Sequence, residues 1–311
     1  MTDAGPPPAP AVSSARELAA AVDALVDAPS PLLVVLDFDG TLAIGTRDPG
    51  AARIEPSAGR ALRRLAGSAD ARPERLHVAV LTGRVVTDVV TRVRVGGVEY
   101  LGDHGLQRAR LARGGRPERL TASTDQAFDV HRGAAEALAT GVAAALGRPP
   151  WLFVERKGPS VAFHVRQADD VAVARASVVA AIERVERDLG LVHDLAHYRG
   201  RSVVDLRPRA AGGKREAIEG LLARHRPGAI VVMGDELSDV DAFEAVHAAR
   251  AGNTASSPSS PRPGIVGITV AVHGRSGPAP AELLARADLR VAGPPEVGRF
   301  LAALARRIGS G

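Results

Sequence analysis

The sequence predicts an α/β fold with a doubly wound, Rossmann-like parallel sheet as its core and a second, α+β domain inserted into it. Three observations predict this fold class. Short apolar runs alternate with helical patterns in the first and last thirds of the chain, which is typical of parallel sheets covered by helices. The middle third shows paired strand patterns instead. The length of 311 residues also suits two domains.

The first third of the chain supplies three strand-to-loop segments. Residues 1–13 are rich in Pro and Ala, which is typical of a disordered tail, and a helical pattern covers 14–27. The apolar run PLLVVL then ends in DFDGT, as a buried parallel strand followed by a loop would. HVAVLTGR at 77–84 and VEYLGDHG at 98–105 repeat this pattern. We therefore assign residues 14–106 to the core.

Residues 107–209 break this alternation and predict the inserted domain. Its predicted elements are a hairpin at 107–120, a long Ala-rich helix at 124–146, two antiparallel strands joined at Gly158–Pro159, a helix at 169–189 and two further strands. The alternation resumes at residue 213, so residues 210–311 return to the core. Within that part, 251–264 is rich in Gly, Ser and Pro and is predicted to be a flexible loop.

Composition argues against several classes of protein. With 45% hydrophobic residues the chain is not disordered, and without cysteine it has no disulfides, thiolate metal sites or cysteine nucleophile. The apolar runs are too short to span a bilayer and no signal peptide is evident, so we expect a cytoplasmic protein that does not bind membranes. The net charge of +5 comes from scattered arginines, and only 3% of residues are aromatic. We therefore expect no nucleic-acid binding.

Four polar motifs follow predicted strands or open a predicted helix. Because the carboxyl ends of parallel strands meet at one edge of a sheet, we expect these side chains to lie close together. Taken singly, each motif also fits a turn or a helix cap, but their order along the chain favours a site. The chain has only two lysines, Lys157 and Lys214, and an ammonium group is not replaced by a guanidinium where a compact charge is needed. The motifs are Asp37-Phe38-Asp39-Gly40-Thr41, Thr82-Gly83-Arg84, Lys214 and Gly234-Asp235-Glu236 with Asp239 beyond.

The motifs resemble those of the haloacid dehalogenase superfamily of phosphatases, which are DxDGT, a Ser or Thr after the second strand, a lysine and an acidic loop. The resemblance implies that Asp37 is a nucleophile that forms an aspartyl-phosphate, and that Asp39 is the general acid and base. It further implies that Thr82 and the amide of Gly83 bind the phosphoryl oxygens, while Lys214 neutralises their charge.

The same resemblance implies a Mg²⁺ cofactor. Carboxylates repel a phosphate dianion, and a hard divalent cation with oxygen ligands offsets that repulsion. Asp37, the backbone carbonyl of Asp39 and Asp235 would hold the cation. Glu236 and Asp239 would support the water shell around it.

The inserted domain lies in the long interval between Thr82 and Lys214. In the haloacid dehalogenase superfamily, the members that act on sugar phosphates have an inserted domain at this position, called the cap, which binds the sugar and excludes water. Within that branch the chain is similar to the trehalose-6-phosphate phosphatase family. The resemblance lies in Glu155-Arg156-Lys157, His164-Val165-Arg166, Asp205-Leu206-Arg207-Pro208, the loop GDELSDVDAF and the C-terminal DLRVAGPPEVGRFLAAL. It implies that the sugar is bound by Glu155, Lys157, Arg166 and Asp205. The alternative explanation of the Glu155 and Lys157 pattern is a cross-strand salt bridge on an exposed sheet.

The chain also departs from the family pattern. Asp205 stands where the family has Glu, Glu236 where it has Asp, Ser238 where it has Thr, and Arg215 where it has Gly. The expected activity is Mg²⁺-dependent hydrolysis of trehalose 6-phosphate to trehalose and phosphate, the last step of trehalose biosynthesis, coupled functionally to a trehalose-6-phosphate synthase. The alternatives are a phosphatase for another sugar phosphate, a mutase that passes the phosphoryl group to a second hydroxyl, and a catalytically silent regulator that binds a sugar phosphate.

Overall fold

This computed structural model describes residues 12–46, 49–191, 195–200, 202–252, 264–274 and 279–309. The predicted tail at 1–13 and the predicted loop at 251–264 lie almost wholly outside the described residues. The strands are β1 (Leu32–Leu36), β2 (Leu76–Leu81), β3 (Val98–Gly102), β4 (Gln107–Leu111), β5 (Ser123–Thr124), β6 (Phe153–Arg156), β7 (Val161–His164), β8 (Leu195–Arg199), β9 (Val203–Pro208), β10 (Ala229–Gly234), β11 (Val266–Val272) and β12 (Leu289–Val291). The helices are α1 (Ala15–Asp27), α2 (Pro56–Ala71), α3 (Val86–Val93), α4 (Arg132–Ala145), α5 (Val171–Leu189), α6 (Lys214–His225), α7 (Ser238–Arg250), α8 (Ala281–Arg286) and α9 (Pro294–Gly309).

The chain divides into two compact units, Met1–Thr121 with Lys214–Gly311, and Ala122–Gly213. The predicted inserted domain began at residue 107, and this boundary was placed too early. β4 pairs antiparallel with β3, and Gln107, Ala109 and Leu111 point into the core of the first unit. The apolar residues of this Arg-rich segment alternate with period two, so the segment forms a strand of the large sheet rather than a hairpin of its own.

The first unit contains a mixed sheet whose strands run in the order β12-β11-β10-β1-β2-β3-β4. All pairings are parallel except that of β3 with β4. β1 is buried along its whole length, as expected for a central parallel strand covered on both faces. From β1 the chain builds the sheet outward through β2, and later returns to add β10 on the other side. The point where the strand order reverses therefore lies between β1 and β10, which is where open α/β sheets bind ligands.

Helices cover both faces of this sheet, which confirms the predicted α/β class. On one face α6, α7 and α8 bury an apolar cluster that includes Ile218, Phe243 and Leu283. On the other face α2 and α1 pack against α9 and against strands of the sheet. The helix α9 is amphipathic and buries Val297, Phe300 and Leu301 on one side. Among the helices of the described residues, none combines the length and the apolar character needed to cross a bilayer.

The second unit is an antiparallel sheet with two helices on one face. Its strands run in the order β6-β7-β9-β8, and α4 and α5 bury a core against one face that includes Phe163 and Leu206. The predicted helix at 124–146 starts later, at Arg132, because Asp125 accepts a hydrogen bond from the amide of Ala127 and initiates a 3₁₀ turn instead. The opposite face of the sheet aligns Glu155, Ala162 and Asp205 in register across three strands.

Candidate active site

The loop after β1 is held in place by the neighbouring strand and by a glycine. The amide of Asp37 donates to the carbonyl of Met233 on β10 at 3.0 Å. Gly40 has a φ of +80°, and a Cβ built at this residue would lie 1.9 Å from Oδ2 of Asp235. Only glycine allows both the left-handed backbone and this close approach. The loop that carries Asp37 therefore lies directly against the acidic loop that follows β10.

Asp239 shapes that acidic loop. Its Oδ2 accepts hydrogen bonds from the amides of Asp235 at 3.1 Å and Glu236 at 3.0 Å, while its Oδ1 accepts one from Lys214 at 2.7 Å. Gly234 leaves room for this arrangement, since a Cβ there would lie 2.1 Å from Cγ of Asp239. Asp239 thus holds the loop and the lysine at once, whereas the side chain of Glu236 is exposed.

Lys214, at the start of α6, is buried between two carboxylates. Its Nζ donates to Oδ1 of Asp37 at 2.9 Å in addition to Asp239, and its side chain is only 3% exposed. Burial acts to lower the pKa of Lys214, but the charges of Asp239 and Asp37 outweigh it and raise the pKa above its ordinary value. The lysine is therefore a permanent cation beside Asp37. Burial, opposed by Lys214, raises the pKa of Asp37 well above its ordinary value.

Three carboxylates form a cluster suited to a divalent cation. One oxygen each of Asp37, Asp235 and Asp239 lies within 4.8 Å of the others. Burial and the neighbouring charges of Asp37 and Glu236 raise the pKa of Asp235, so these carboxylates repel each other more than Lys214 alone can offset. An all-oxygen donor set with excess negative charge is what Mg²⁺ prefers, and the residues present fit that ion. The carboxylate of Asp239 joins the predicted pair Asp37 and Asp235 in this cluster, although both of its oxygens already accept hydrogen bonds.

Asp39 is held by Arg84, the third residue of the Thr82-Gly83-Arg84 motif, for which the sequence suggested no role. Arg84 donates from Nε to Oδ2 of Asp39 at 2.5 Å and from a terminal nitrogen to Oδ1 at 2.8 Å. The signal was present in the sequence, because Arg84 directly follows Thr82 and Gly83. The family resemblance implies roles for Thr82 and Gly83 but none for Arg84.

The loop after β2 is packed against the loop after β3. Thr82 is buried, and its Oγ1 accepts from the amide of Arg84 at 3.3 Å. The amide of His104 donates to the Thr82 carbonyl at 2.9 Å, and a Cβ on Gly83 would lie 2.8 Å from Nε2 of His104. Asp103 and His104 both have positive φ, at 49° and 58°, a conformation rarely adopted by two successive non-glycine residues. A side chain at residue 83 would therefore collide with the imidazole of His104 unless that ring moved.

In the second unit the structure brings Glu155, Lys157 and Asp205 together on one sheet face. Nζ of Lys157 lies 3.3 Å from Oδ1 of Asp205 and 3.9 Å from Oε2 of Glu155. Glu155 also lies 2.9 Å from Nε2 of His164 on the neighbouring strand. Lys157 and Asp205 are buried, and Glu155 is partly exposed. Of this group, Glu155 is the most accessible to a ligand.

Arg207 completes this cluster and was also missed. Its Nε lies 3.1 Å from Oδ2 of Asp205, and its guanidinium stacks 3.7 Å from the ring centroid of Tyr198. Asp205 therefore lies between two cations. Arg166, predicted as a sugar ligand, is exposed, and its Nε donates to Oγ of Ser202 at 3.4 Å.

Arg215 occupies the position after Lys214 where the family pattern has glycine. Its guanidinium pairs with Glu244 on α7, and Glu244 also pairs with Arg286 on α8. The substitution is therefore accommodated by ion pairs among three helices of the first unit. It leaves the contacts of Lys214 with Asp37 and Asp239 intact.

A buried lysine and an acidic cluster lie at the carboxyl edge of the parallel sheet of the first unit. A haloacid dehalogenase-like hydrolase of Bacteroides thetaiotaomicron has a similar fold, with a TM-score of 0.54, 14% identity and coverage of 88% of this chain and 98% of that one. The sequence matches the model of the trehalose-phosphatase family over residues 35–264. The chain belongs to the trehalose-phosphatase family.

Individual relatives agree with this assignment. A trehalose-phosphate phosphatase of Mycobacterium avium is 37% identical over 225 residues, which cover 68% of this chain and 51% of the relative. An uncharacterized glycosyl hydrolase of Mycobacterium tuberculosis is 37% identical over 220 residues, 68% of this chain but 15% of that protein. The chain thus spans about half the length or less of these relatives. The C-terminal domain of a Candida albicans trehalose-6-phosphate phosphatase has a similar fold, with a TM-score of 0.69, 18% identity and coverage of 93% of this chain and 96% of that one.

Proposed function

We propose that the protein hydrolyses trehalose 6-phosphate to trehalose and phosphate through an aspartyl-phosphate on Asp37. The observation that carries the proposal is the buried group formed by Asp37, Lys214, Asp235 and Asp239 at the reversal of strand order between β1 and β10. It combines a carboxylate nucleophile, a fixed cation and a cation-binding cluster within a few ångströms. Membership of the trehalose-phosphatase family supports the choice of substrate.

The chain's own residues account for each proton and each bond in this reaction. A carboxylate oxygen of Asp37 attacks phosphorus, the bond from phosphorus to the sugar oxygen breaks, and Asp39 gives its proton to that oxygen. Asp39 then takes a proton from a water that attacks the same phosphorus, and the bond from Asp37 to phosphorus breaks to release phosphate. Lys214, Thr82 and the amide of Gly83 bind the phosphoryl oxygens and stabilise the negative charge on them.

A Mg²⁺ ion would be held by Asp37, Asp235 and the backbone carbonyl of Asp39, with Glu236 and Asp239 supporting its surroundings. When bound, it supplies positive charge that offsets the repulsion between these carboxylates and the phosphate. Burial, together with the negative charges of neighbouring carboxylates, raises the pKa of Asp37 and of Asp235, and this supports this part of the proposal.

Recognition of the sugar is assigned to the second unit. Glu155 is the leading ligand for sugar hydroxyls because it is partly exposed and already held by His164. Lys157 and Asp205 contribute to the same face, and Arg166 is retained as a ligand on the family resemblance alone. A cytoplasmic location and functional coupling to a trehalose-6-phosphate synthase remain predictions from the sequence.

The proposal is tested by phosphate release from a panel of trehalose 6-phosphate, glucose 6-phosphate and sucrose 6-phosphate, with Mg²⁺ and with EDTA. We expect release from trehalose 6-phosphate that EDTA abolishes and excess Mg²⁺ restores. Equal release from all three esters would refute the substrate while keeping the chemistry. No release from any ester would favour a silent sugar-phosphate-binding regulator.

A further inference from the structure

Arg84 hydrogen-bonds with two residues of the candidate site, Asp39 and Thr82. Its guanidinium donates two hydrogen bonds to the carboxylate of Asp39, at 2.5 and 2.8 Å, and its own amide donates to Oγ1 of Thr82 at 3.3 Å. The group proposed for proton transfer and the hydroxyl proposed to bind the phosphoryl group are thus tied to the same residue. Arg84 and Asp39 lie on loops that follow different strands, β2 and β1.

The guanidinium of Arg84 is itself anchored. A terminal nitrogen donates to Oδ2 of Asp88, on the first turn of α3, at 2.8 Å, and the group lies 5.5 Å from the ring centroid of Phe38. Asp88 is in turn bound by Arg92, one turn further along the helix, at 2.7 Å. The side chain of Arg84 is only 13% exposed, so the contacts are shielded from competition by water. Arg92, Asp88 and Arg84 therefore form a chain of ion pairs, called the brace below, that connects α3 to Asp39.

We propose that Arg84, anchored by Asp88, is a positioning residue that fixes the carboxylate of Asp39 for proton transfer. The inference rests on the proposed function, because it takes Asp39 as the acid and base of that reaction. The side chain of Asp39 is 38% exposed, so without a partner it would sample several rotamers. A planar guanidinium that binds both oxygens selects one orientation, which an ammonium or an amide cannot do equally well.

Positioning predicts a kinetic signature different from that of a phosphate ligand. If Arg84 bound the phosphate of the substrate, its loss would raise KM for every phosphate ester. If it positions Asp39, its loss lowers kcat with KM little changed, because the interaction that is removed acts on proton transfer. The breakdown of the aspartyl-phosphate would slow for all substrates, since Asp39 must take a proton from the attacking water in that step.

The test compares Arg84→Gln, Arg84→Lys, Asp88→Asn and Asp39→Asn in the Mg²⁺-loaded enzyme, with trehalose 6-phosphate and p-nitrophenyl phosphate as substrates. For Arg84→Gln we expect kcat to fall about 10²-fold on trehalose 6-phosphate with KM within about twofold of wild type. With p-nitrophenyl phosphate we expect a burst of one nitrophenol per site followed by slow turnover. Arg84→Lys should recover part of the rate, and Asp88→Asn should show the same pattern with a smaller loss.

Two further variants isolate the interaction. Arg84→Gln combined with Asp39→Asn should be no slower than Asp39→Asn alone, because the brace has nothing left to position. Glu118→Gln is the matched control. It breaks an exposed ion pair, 2.9 Å long, between Glu118 and Arg94, the residue that follows the last turn of α3. We expect its kinetics to equal those of wild type. Thermal melting of each variant shows that the fold is retained.

Several outcomes would overturn the inference. A rise in KM with unchanged kcat in Arg84→Gln would make Arg84 a phosphate ligand, and additive losses in the double variant would make its role independent of Asp39. If Asp39→Asn turned over trehalose 6-phosphate as fast as wild type, the proposed function would lose its acid and base, and the inference would fall with it. Normal loss in Asp39→Asn with wild-type kinetics in Arg84→Gln would refute the brace alone.

Discussion

The candidate active site and the polar cluster on the sheet face of the second unit differ in how their charges balance. At the carboxyl edge of the first unit's sheet, four carboxylates face two cations. On the sheet face of the second unit, two carboxylates face two permanent cations and a histidine. The first group is Asp37, Asp39, Asp235 and Asp239 with Lys214 and Arg84, and the second is Glu155 and Asp205 with Lys157, Arg207 and His164.

This difference separates a cluster that needs an external cation from one that does not. Buried charge without a partner costs several kcal/mol, so the excess carboxylates of the first unit are retained at a cost in stability. That cost indicates a role in binding or chemistry. In the second unit Lys157 and Arg207 both lie within ion-pair distance of Asp205, and Glu155 is the carboxylate of the cluster that is partly exposed and can be offered to a ligand.

The largest expected effect is that of removing the proposed nucleophile. Asp37→Asn should lower phosphate release from trehalose 6-phosphate by at least about 10⁴-fold. It should not lower the melting temperature, because it removes a buried carboxylate whose pKa is raised by burial and by neighbouring charges. Colorimetric phosphate assay and differential scanning calorimetry measure the two effects. A large loss of stability with residual activity would contradict the view that the first cluster carries excess charge.

In the second unit, by contrast, we expect the loss of a buried carboxylate to lower the stability of the fold. Asp205→Ala should lower the free energy of unfolding by about 3–5 kcal/mol, because Lys157 and Arg207 would remain buried without their carboxylate. Urea unfolding followed by fluorescence of Trp151, the chain's only tryptophan, reports on this unit. Asp205→Glu is the control that keeps the charge. Equal stability of Asp205→Ala and wild type would show that the cluster is not internally balanced.

Binding of Mg²⁺ provides a comparison that does not depend on activity. At a concentration of one hundred times its Kd, the ion should stabilise the folded protein by about 2.7 kcal/mol, and EDTA should reverse the effect. Asp235→Asn should lose this shift in melting temperature, because it removes one carboxylate of the cluster. Asp205→Glu should keep it. A shift of equal size in all three proteins would place the ion elsewhere.

The smallest expected effect is a loss of activity in Glu155→Ala that depends on whether the substrate contains the sugar. Glu155→Ala should lower kcat/KM for trehalose 6-phosphate by about 10- to 100-fold, the equivalent of one hydrogen bond to a charged group, while p-nitrophenyl phosphate turnover stays near wild type. Steady-state kinetics with both substrates decide this. Equal losses on the two would mean that Glu155 acts through the fold rather than through sugar recognition.

Much of the fold and of the candidate site could be predicted from the sequence. Apolar runs that end in polar loops predicted the parallel strands, and the carboxyl ends of these strands placed Asp37 and Asp235 at one edge of the sheet. The succession of polar motifs along the chain identified the chemistry because each lies next to a strand or helix with its own local pattern. The boundary at residue 107 was wrong because an Arg-rich strand and an Arg-rich hairpin have similar local patterns.

The sequence by itself therefore determined the elements, the edge where they converge and the residue types of the site. The tertiary structure alone decided the partners: Arg84 with Asp39, both cations with Asp205, and Asp239 with both Lys214 and the loop amides. The physical reason is the distance along the chain over which each kind of interaction acts. Periodicity and turn chemistry act between neighbouring residues, whereas the partner of a long charged side chain depends on which distant loops packing brings within about 3 Å of it.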